Sequence, residues 1–128
     1  MARRQVIEVA GLSHGNNPIP VAVRMGSSLV TGGINPVDRQ TGKVPEDAVA
    51  QIAAAFANAK AIVEAGGGTM ADILKVDVRL KDMAQRDALN AEWLKHFPNV
   101  HDRPVRHTSQ AAMQGASVIQ IEFTAEIS

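Results

Sequence analysis

The sequence predicts a two-layer α+β sandwich with the element order β-β-β-α-β-α-β-β. Short β-branched runs occupy the first third of the chain, a segment with helical spacing follows from residue 46, and alternating segments come after it. Two helices can cover one face of a mixed sheet built from these strands. At 128 residues the chain suits one core, so we expect a single domain over residues 1–128.

Three strands are predicted before the first helix. Residues 4–10 are β-branched, and residues 21–25 and 28–33 flank a Gly-Ser turn, as in a hairpin. The segment between the first two strands holds two prolines, two glycines and two asparagines, which favours a loop. Turn-forming residues fill positions 35–42 before the helix begins.

Two helices are predicted, with a strand between them. From Glu46, apolar residues recur at steps of three and four until three glycines end the pattern. The resulting apolar face consists of Val49, Ile52, Phe56, Ala59 and Val63. Residues 72–81 alternate between apolar and charged side chains, as in a strand with one buried face. The second helix carries Leu89, Trp93 and Phe97 at steps of four and ends before a proline.

A terminal hairpin is predicted from residues 105–112 and 117–127. In its second strand, apolar residues alternate with Gln120, Glu122 and Thr124, so the polar side chains share one face. That face is polar without being strongly charged. We therefore expect it to contact another subunit of a symmetric oligomer.

Composition argues against several functional classes. The 13 Lys+Arg balance the 13 Asp+Glu, so a nucleic-acid partner is not expected. The absence of cysteine excludes a disulfide, a thiol nucleophile and a cysteine zinc site. No apolar run approaches the roughly 20 residues of a membrane span, and no secretory signal follows the first residues. These features predict a cytoplasmic protein without a membrane partner.

Arg106 is the main candidate for chemistry. Alternation places Thr108 on the same strand face, and Gln120 and Glu122 share that face if the terminal strands pair in register. The guanidinium fork suits a carboxylate, although an arginine that is merely solvated on a strand is the alternative. The four histidines are scattered without metal-site spacing, so no metal is predicted.

A series of short sequence stretches gives a more specific indication of the protein's family. They include Leu-Val-Thr-Gly-Gly and Pro-Val-Arg, and they occupy residues 29–33, 35–36, 41–45, 58–65, 72–76, 81–83, 90, 104–106 and 119–122. In order and spacing they resemble the RidA/YjgF family of reactive-intermediate (enamine/imine) deaminases, of which this chain looks like a divergent member. The resemblance covers nearly the whole chain.

The resemblance implies a chorismate-mutase-like fold and a homotrimer, whose sheets form a central barrel with three clefts between subunits. It implies hydrolysis of enamines and imines, such as 2-aminoacrylate, to a 2-keto acid and ammonia without a metal or organic cofactor. By position, Arg106 matches the arginine that binds the substrate carboxylate. Gly33 and Asn90 match residues that line the pocket, and Thr108 stands where members commonly have a cysteine whose backbone amide contacts the ligand.

Two departures from the family pattern concern the pocket. Gln120 replaces a glutamate that positions the attacking water, and Ile19 stands about where members carry a tyrosine. An amide can orient water but cannot accept its proton. His14 and Glu122 are candidates for the lost polar groups, and His107 would enter the pocket only through a bulge or from a neighbouring subunit.

Two functions of different classes follow. The first is a deaminase in which Arg106 fixes the substrate and Gln120 holds the water. The second is a non-catalytic trimeric binding protein for small carboxylates or a protein partner, which the two departures favour. A ribonuclease has little support, because the charge is balanced and aromatic residues make up only 3% of the chain.

Overall fold

The computed structural model describes residues 2–128 and contains the predicted order of strands and helices. The elements are β1 (Gln5–Ile7), β2 (Ala22–Met25), β3 (Ser28–Thr31), α1 (Ala48–Ala65), β4 (Ile73–Leu80), α2 (Arg86–His96), β5 (Val105–Gln110) and β6 (Ile119–Glu126). β1 is shorter than the predicted residues 4–10, because only three residues pair with β2. Both helices pack on one face of a six-stranded sheet, so the predicted α+β class is confirmed.

The strand order is β1-β2-β3-β6-β4-β5, with β4 and β5 parallel and the other neighbours antiparallel. The predicted terminal hairpin is therefore wrong, since β4 lies between β5 and β6. The connecting segment crosses the end of β4: the Ala111 amide donates to Leu80 O at 3.0 Å, and the Lys81 amide donates to Val118 O at 2.9 Å. Alternating side chains set the faces of a strand but not its neighbours.

Helix α1 is the central helix of the core. The Asp47 carboxylate caps it by accepting from the Ala50 amide at 3.1 Å, and its buried face packs on the sheet and on α2. By length and composition alone α1 could cross a membrane, but its buried residues belong to the hydrophobic core of this domain. Val49, predicted on the apolar face, lies in the first turn at the edge of that face and is exposed.

The second sheet face is not covered by either helix. Its side chains include the exposed apolar residues Val6, Met25, Val30 and Val105, together with charged residues of β4 and β6. We call this surface the open face of the sheet. Alternation in β6 is as predicted, with apolar side chains buried on the helix side and polar ones on the open face.

Candidate functional site

The predicted site residues fall into two clusters on opposite faces of the sheet. Arg106 lies opposite Val76, which lies opposite the buried Phe123, so these three side chains share the helix side. Gln120 lies opposite Arg79, on the open face. The prediction that Arg106 shares a face with Gln120 and Glu122 is therefore wrong. It assumed that β5 and β6 pair, whereas β4 separates them and sets the opposite phase.

Arg106, Asn90, Thr108 and Trp93 form the first cluster, which we call the arginine cluster. The Arg106 Nη2 donates to Asn90 Oδ1 at 2.7 Å, and Nε donates to Thr108 Oγ1 at 2.9 Å. Its guanidinium carbon lies 4.9 Å from the ring centroid of Trp93. Asn90 and Trp93 are three residues apart on α2 and so present adjacent side chains to β5. Within residues 2–128, the structure gives Arg106 Nη1 no hydrogen-bond acceptor.

The electrostatics of this cluster favour an anion. Burial, and then the nearby charge of Arg86, lower the pKa of the Arg106 guanidinium below its ordinary value. Arginine nonetheless stays protonated at neutral pH. A cation that has lost part of its hydration beside a second cation is stabilised when a carboxylate binds to its free edge.

The second cluster lies around Gln120 and borders a cavity of about 690 Å³. Gln120 Nε2 donates to Asn35 Oδ1 at 3.1 Å. The carboxamide packs against Gly33, where an added Cβ would lie 2.8 Å from the Gln120 Cδ. His14 approaches the neighbouring Gly32 in the same way, since a Cβ there would lie 3.2 Å from its Nε2. We call this set the amide cluster.

Buried contacts hold the loop that carries Asn35. The Ile34 amide donates to Ile121 O at 2.6 Å, and the Ile121 amide returns a bond to Ile34 O at 3.1 Å, which ties the loop to β6. Asn58, buried in α1, donates from Nδ2 to Asn35 O at 3.0 Å and to Val37 O at 2.9 Å. The amide cluster is thus fixed by both the sheet and a helix.

The remaining candidates lie outside both clusters. Ile19 is 54% exposed and borders a second, smaller cavity. Glu122 Oε2 lies 3.6 Å from Arg79 Nη1 on the open face. His107 Nδ1 lies 3.9 Å from Asp77 Oδ1, and its side chain points away from the arginine cluster as an ideal strand requires. Over residues 2–128 no group of three or more His, Asp or Glu side chains is placed to bind a metal ion.

Sequence reasoning did not single out Asn35, Asn58 or Arg79. Asn58 carries a usable signal, because an amide within the apolar face of a helix needs buried partners. The alternation of residues 72–81 predicts Arg79 on the exposed face of its strand but does not predict which residue lies beside it. Asn35 has a turn pattern and lies in one of the stretches that resemble the family, but neither observation assigns it a role in the site.

Residues 16–127 match the family described as Endoribonuclease L-PSP. A RutC family protein of Haemophilus influenzae is 40% identical over 93 residues, which cover 73% of this chain and 72% of that protein. The 2-iminobutanoate/2-iminopropanoate deaminase of Salmonella typhimurium is 41% identical over 80 residues, which span 62% of each chain.

Comparison with solved structures indicates the same family. The crystal structure of E. coli TdcF with bound serine superposes with a TM-score of 0.88 at 30% identity and covers 97% of this chain and 99% of that one. The chain belongs to the RidA/YjgF family, the family described as Endoribonuclease L-PSP. Relatives within it are named imine deaminases.

Proposed function

We propose that this protein hydrolyses reactive enamines and imines of the 2-aminoacrylate type to a 2-keto acid and ammonia. The observation that carries the proposal is the state of Arg106, a partly buried cation held by Asn90, Thr108 and Trp93. Its Nη1 has no acceptor among residues 2–128 and can bind a ligand. The similarity to a 2-iminobutanoate/2-iminopropanoate deaminase supports the same chemistry here.

A homotrimer would complete the site. In one chain, Arg106 on β5 and Gln120 on β6 lie on opposite sheet faces, and β4 lies between the two strands. The distance from β5 to β6 across β4 is therefore about 10 Å. A substrate of about six non-hydrogen atoms cannot contact both. We assign Arg106 to one protomer and Gln120 with Gly33 to the next, in the trimeric barrel that the family resemblance implies. The exposed apolar side chains of the open face supply surface for such an assembly.

The reaction needs a carboxylate anchor and an oriented water. Arg106 binds the carboxylate through charge-assisted hydrogen bonds, and backbone amides near Gly33 and Thr108 complete the anion site. An enamine first becomes the imine, as its terminal carbon gains a proton and its nitrogen loses one. The water oxygen then bonds to the imine carbon while the π bond of C=N breaks, and the nitrogen gains a proton. The carbinolamine then loses ammonia as its C–N bond breaks and the C=O bond forms. Substrate and one water account for all atoms of the products.

Gln120 orients the water and leaves its proton to other acceptors. Because Nε2 donates to Asn35, Oε1 is the atom available to accept from a water or from the N–H of the imine. His14, beside the cavity, is a second acceptor. General-base help is typically worth about 10²–10⁴-fold, so positioning and charge stabilisation must supply most of the rate.

Ammonia release from enzymatically generated 2-aminoacrylate tests the proposal. Arg106→Ala should lower kcat/KM at least about 100-fold, because the substrate loses its charge-assisted anchor. Lys60→Ala, which removes a cation from the exposed side of α1, should leave the rate unchanged. Equal rates for wild type and Arg106→Ala would show that the assignment of Arg106 is wrong.

A non-catalytic trimeric binding protein for small carboxylates is the second candidate. The neutral Gln120 favours it, because this amide cannot accept the proton of the attacking water. Calorimetric binding of 2-oxobutanoate without turnover of any 2-imino acid would select this function. As the resemblance implies, we expect neither function to need a cofactor, and we expect a cytoplasmic location.

A further inference from the structure

Arg79 lines the cavity of the amide cluster and has no role in the mechanism above. It stands on β4 directly opposite Gln120 of β6, so both side chains lie on the open face. Of the described residues that line this cavity, Arg79 is the one permanently charged side chain, and none is acidic. A cavity with this lining attracts an anionic group.

The guanidinium of Arg79 is not committed to a structural role. It faces the carboxylate of Glu122, with 3.6 Å between Nη1 and Oε2, which is longer than a charge-assisted hydrogen bond. Both side chains are about one third or more exposed, and such pairs contribute little. Arg103 provides the contrast, because its Nε and Nη2 donate to the carbonyls of Phe97 and Pro98 at 2.8 and 3.2 Å.

The cavity is larger than a small imino acid requires. A three-carbon 2-imino acid has about six non-hydrogen atoms, or about 180 Å³ at the share of liquid volume that a water occupies. In one chain, before a neighbouring protomer covers the open face, the cavity measures about 690 Å³. A substrate anchored by Arg106 of one protomer and attacked beside Gln120 of the next would leave room along Arg79.

We propose that Arg79 binds a second anionic group of the substrate, so that the preferred substrates are 2-imino acids with an acidic side chain. Residues directly opposite on antiparallel strands have Cα atoms about 5 Å apart, which places the Arg79 anion site within one side-chain length of Gln120. A side-chain carboxylate displaces Glu122 from Arg79 and gains a bidentate partner. The inference rests on the proposed deaminase function for its substrate class, while the anion site itself can be tested by binding alone.

The test compares 2-iminosuccinate and 2-iminoglutarate with 2-iminobutanoate. Each imino acid is generated in the assay mixture by oxidation of the corresponding amino acid, and its hydrolysis is measured by how much the protein reduces its capture by a carbonyl-trapping reagent. We expect wild type to favour the dicarboxylates by about tenfold in kcat/KM. Arg79→Gln should abolish that preference by raising KM for the two dicarboxylates, and Arg79→Lys should restore part of the preference. Lys75→Gln removes a cation from the same face of the same strand and should keep the wild-type preference.

Direct binding separates this inference from the proposed function. Calorimetry should show 2-oxoglutarate binding about tenfold more tightly than 2-oxobutanoate to wild type, and equally to a folded Arg79→Gln. Turnover of 2-iminobutanoate with no dicarboxylate preference would overturn the role of Arg79 and leave the deaminase intact. Absence of all turnover, with 2-oxoglutarate binding weakened by Arg79→Gln, would overturn the deaminase and support the anion site.

Discussion

The guanidinium of Arg106 lies over the indole ring of Trp93, with 4.9 Å between the guanidinium carbon and the ring centroid. The ring also packs against Phe97, at 4.6 Å between centroids, and against Phe56 edge-on at 6.2 Å. Trp93 is therefore itself fixed, and it presents a rigid π-face to the cation. We treat it as a positioning residue for Arg106.

Trp93→Leu should raise KM for imine substrates by about twofold to thirtyfold, because cation–π contacts of partly desolvated pairs contribute about 0.5–2 kcal/mol. Trp93→Phe keeps a π-face and should recover most of that loss. Steady-state kinetics on folded variants checks this. A Phe variant as impaired as the Leu variant would mean that indole packing, rather than the cation–π contact, holds Arg106.

Gln120→Glu should increase kcat, since a carboxylate can accept the proton that the amide cannot. Asn35 can turn its Nδ2 toward the new carboxylate, so the site should remain assembled. The pH profile should gain an acidic limb, because protonation of the introduced glutamate removes the base. Gln120→Met serves as the control without a hydrogen-bonding group. An unchanged kcat with a flat profile would contradict a water-positioning role.

Gln51→Leu should destabilise the fold by about 3 kcal/mol. The buried Gln51 amide donates to the carbonyls of Pro45 and Ala116 at 2.8 and 2.9 Å and accepts from the Val118 amide at 2.8 Å. An apolar replacement leaves these backbone groups without partners, at a cost of about 1–3 kcal/mol for each one that stays buried. Chemical denaturation measures the loss, and Gln40→Leu on an exposed turn should change stability by under about 0.5 kcal/mol.

Glu126 links stability to acid pH. Hydrogen bonds from the hydroxyls of Ser28 and Ser27, at 2.7 and 2.8 Å, lower the pKa of Glu126 below its ordinary value. A carboxyl whose pKa is lower in the folded state stabilises the fold above its unfolded pKa, and this contribution disappears as pH falls through the folded pKa. Ser28→Ala should therefore raise the pKa of Glu126, as measured by carboxyl NMR titration. Ser109→Ala, on β5, should leave it unchanged.

The order of elements could be predicted because each strand and helix has its own period of apolar residues. The strand order could not. β5 and β6 alternate as expected, yet β4 separates them, since side-chain period does not say which strands become neighbours. That single error placed Arg106 and Gln120 on one face.

Some features of the candidate site could be predicted from the sequence, and its long-range contacts could not. The character of Arg106 as a carboxylate-binding candidate is visible in its residue type and in the family resemblance. The Arg106 side chain is held by contacts from α2. Asn90, which accepts one of its hydrogen bonds, lies sixteen positions earlier in the sequence, and tertiary packing brings the two residues together. Asn35 reaches Gln120 across 85 positions of sequence, a separation over which local pattern carries no information.

The central position of β6 has a consequence for synthesis. In the sheet formed by residues 2–128, the strands β1 to β3 are synthesised early, β4 and β5 form a second part, and β6 lies between the two parts and joins them. Until residues 119–126 have emerged from the ribosome, each part keeps an open edge of unpaired backbone groups. Nascent or truncated chains should therefore be prone to aggregate and to need chaperones, although the finished domain is small.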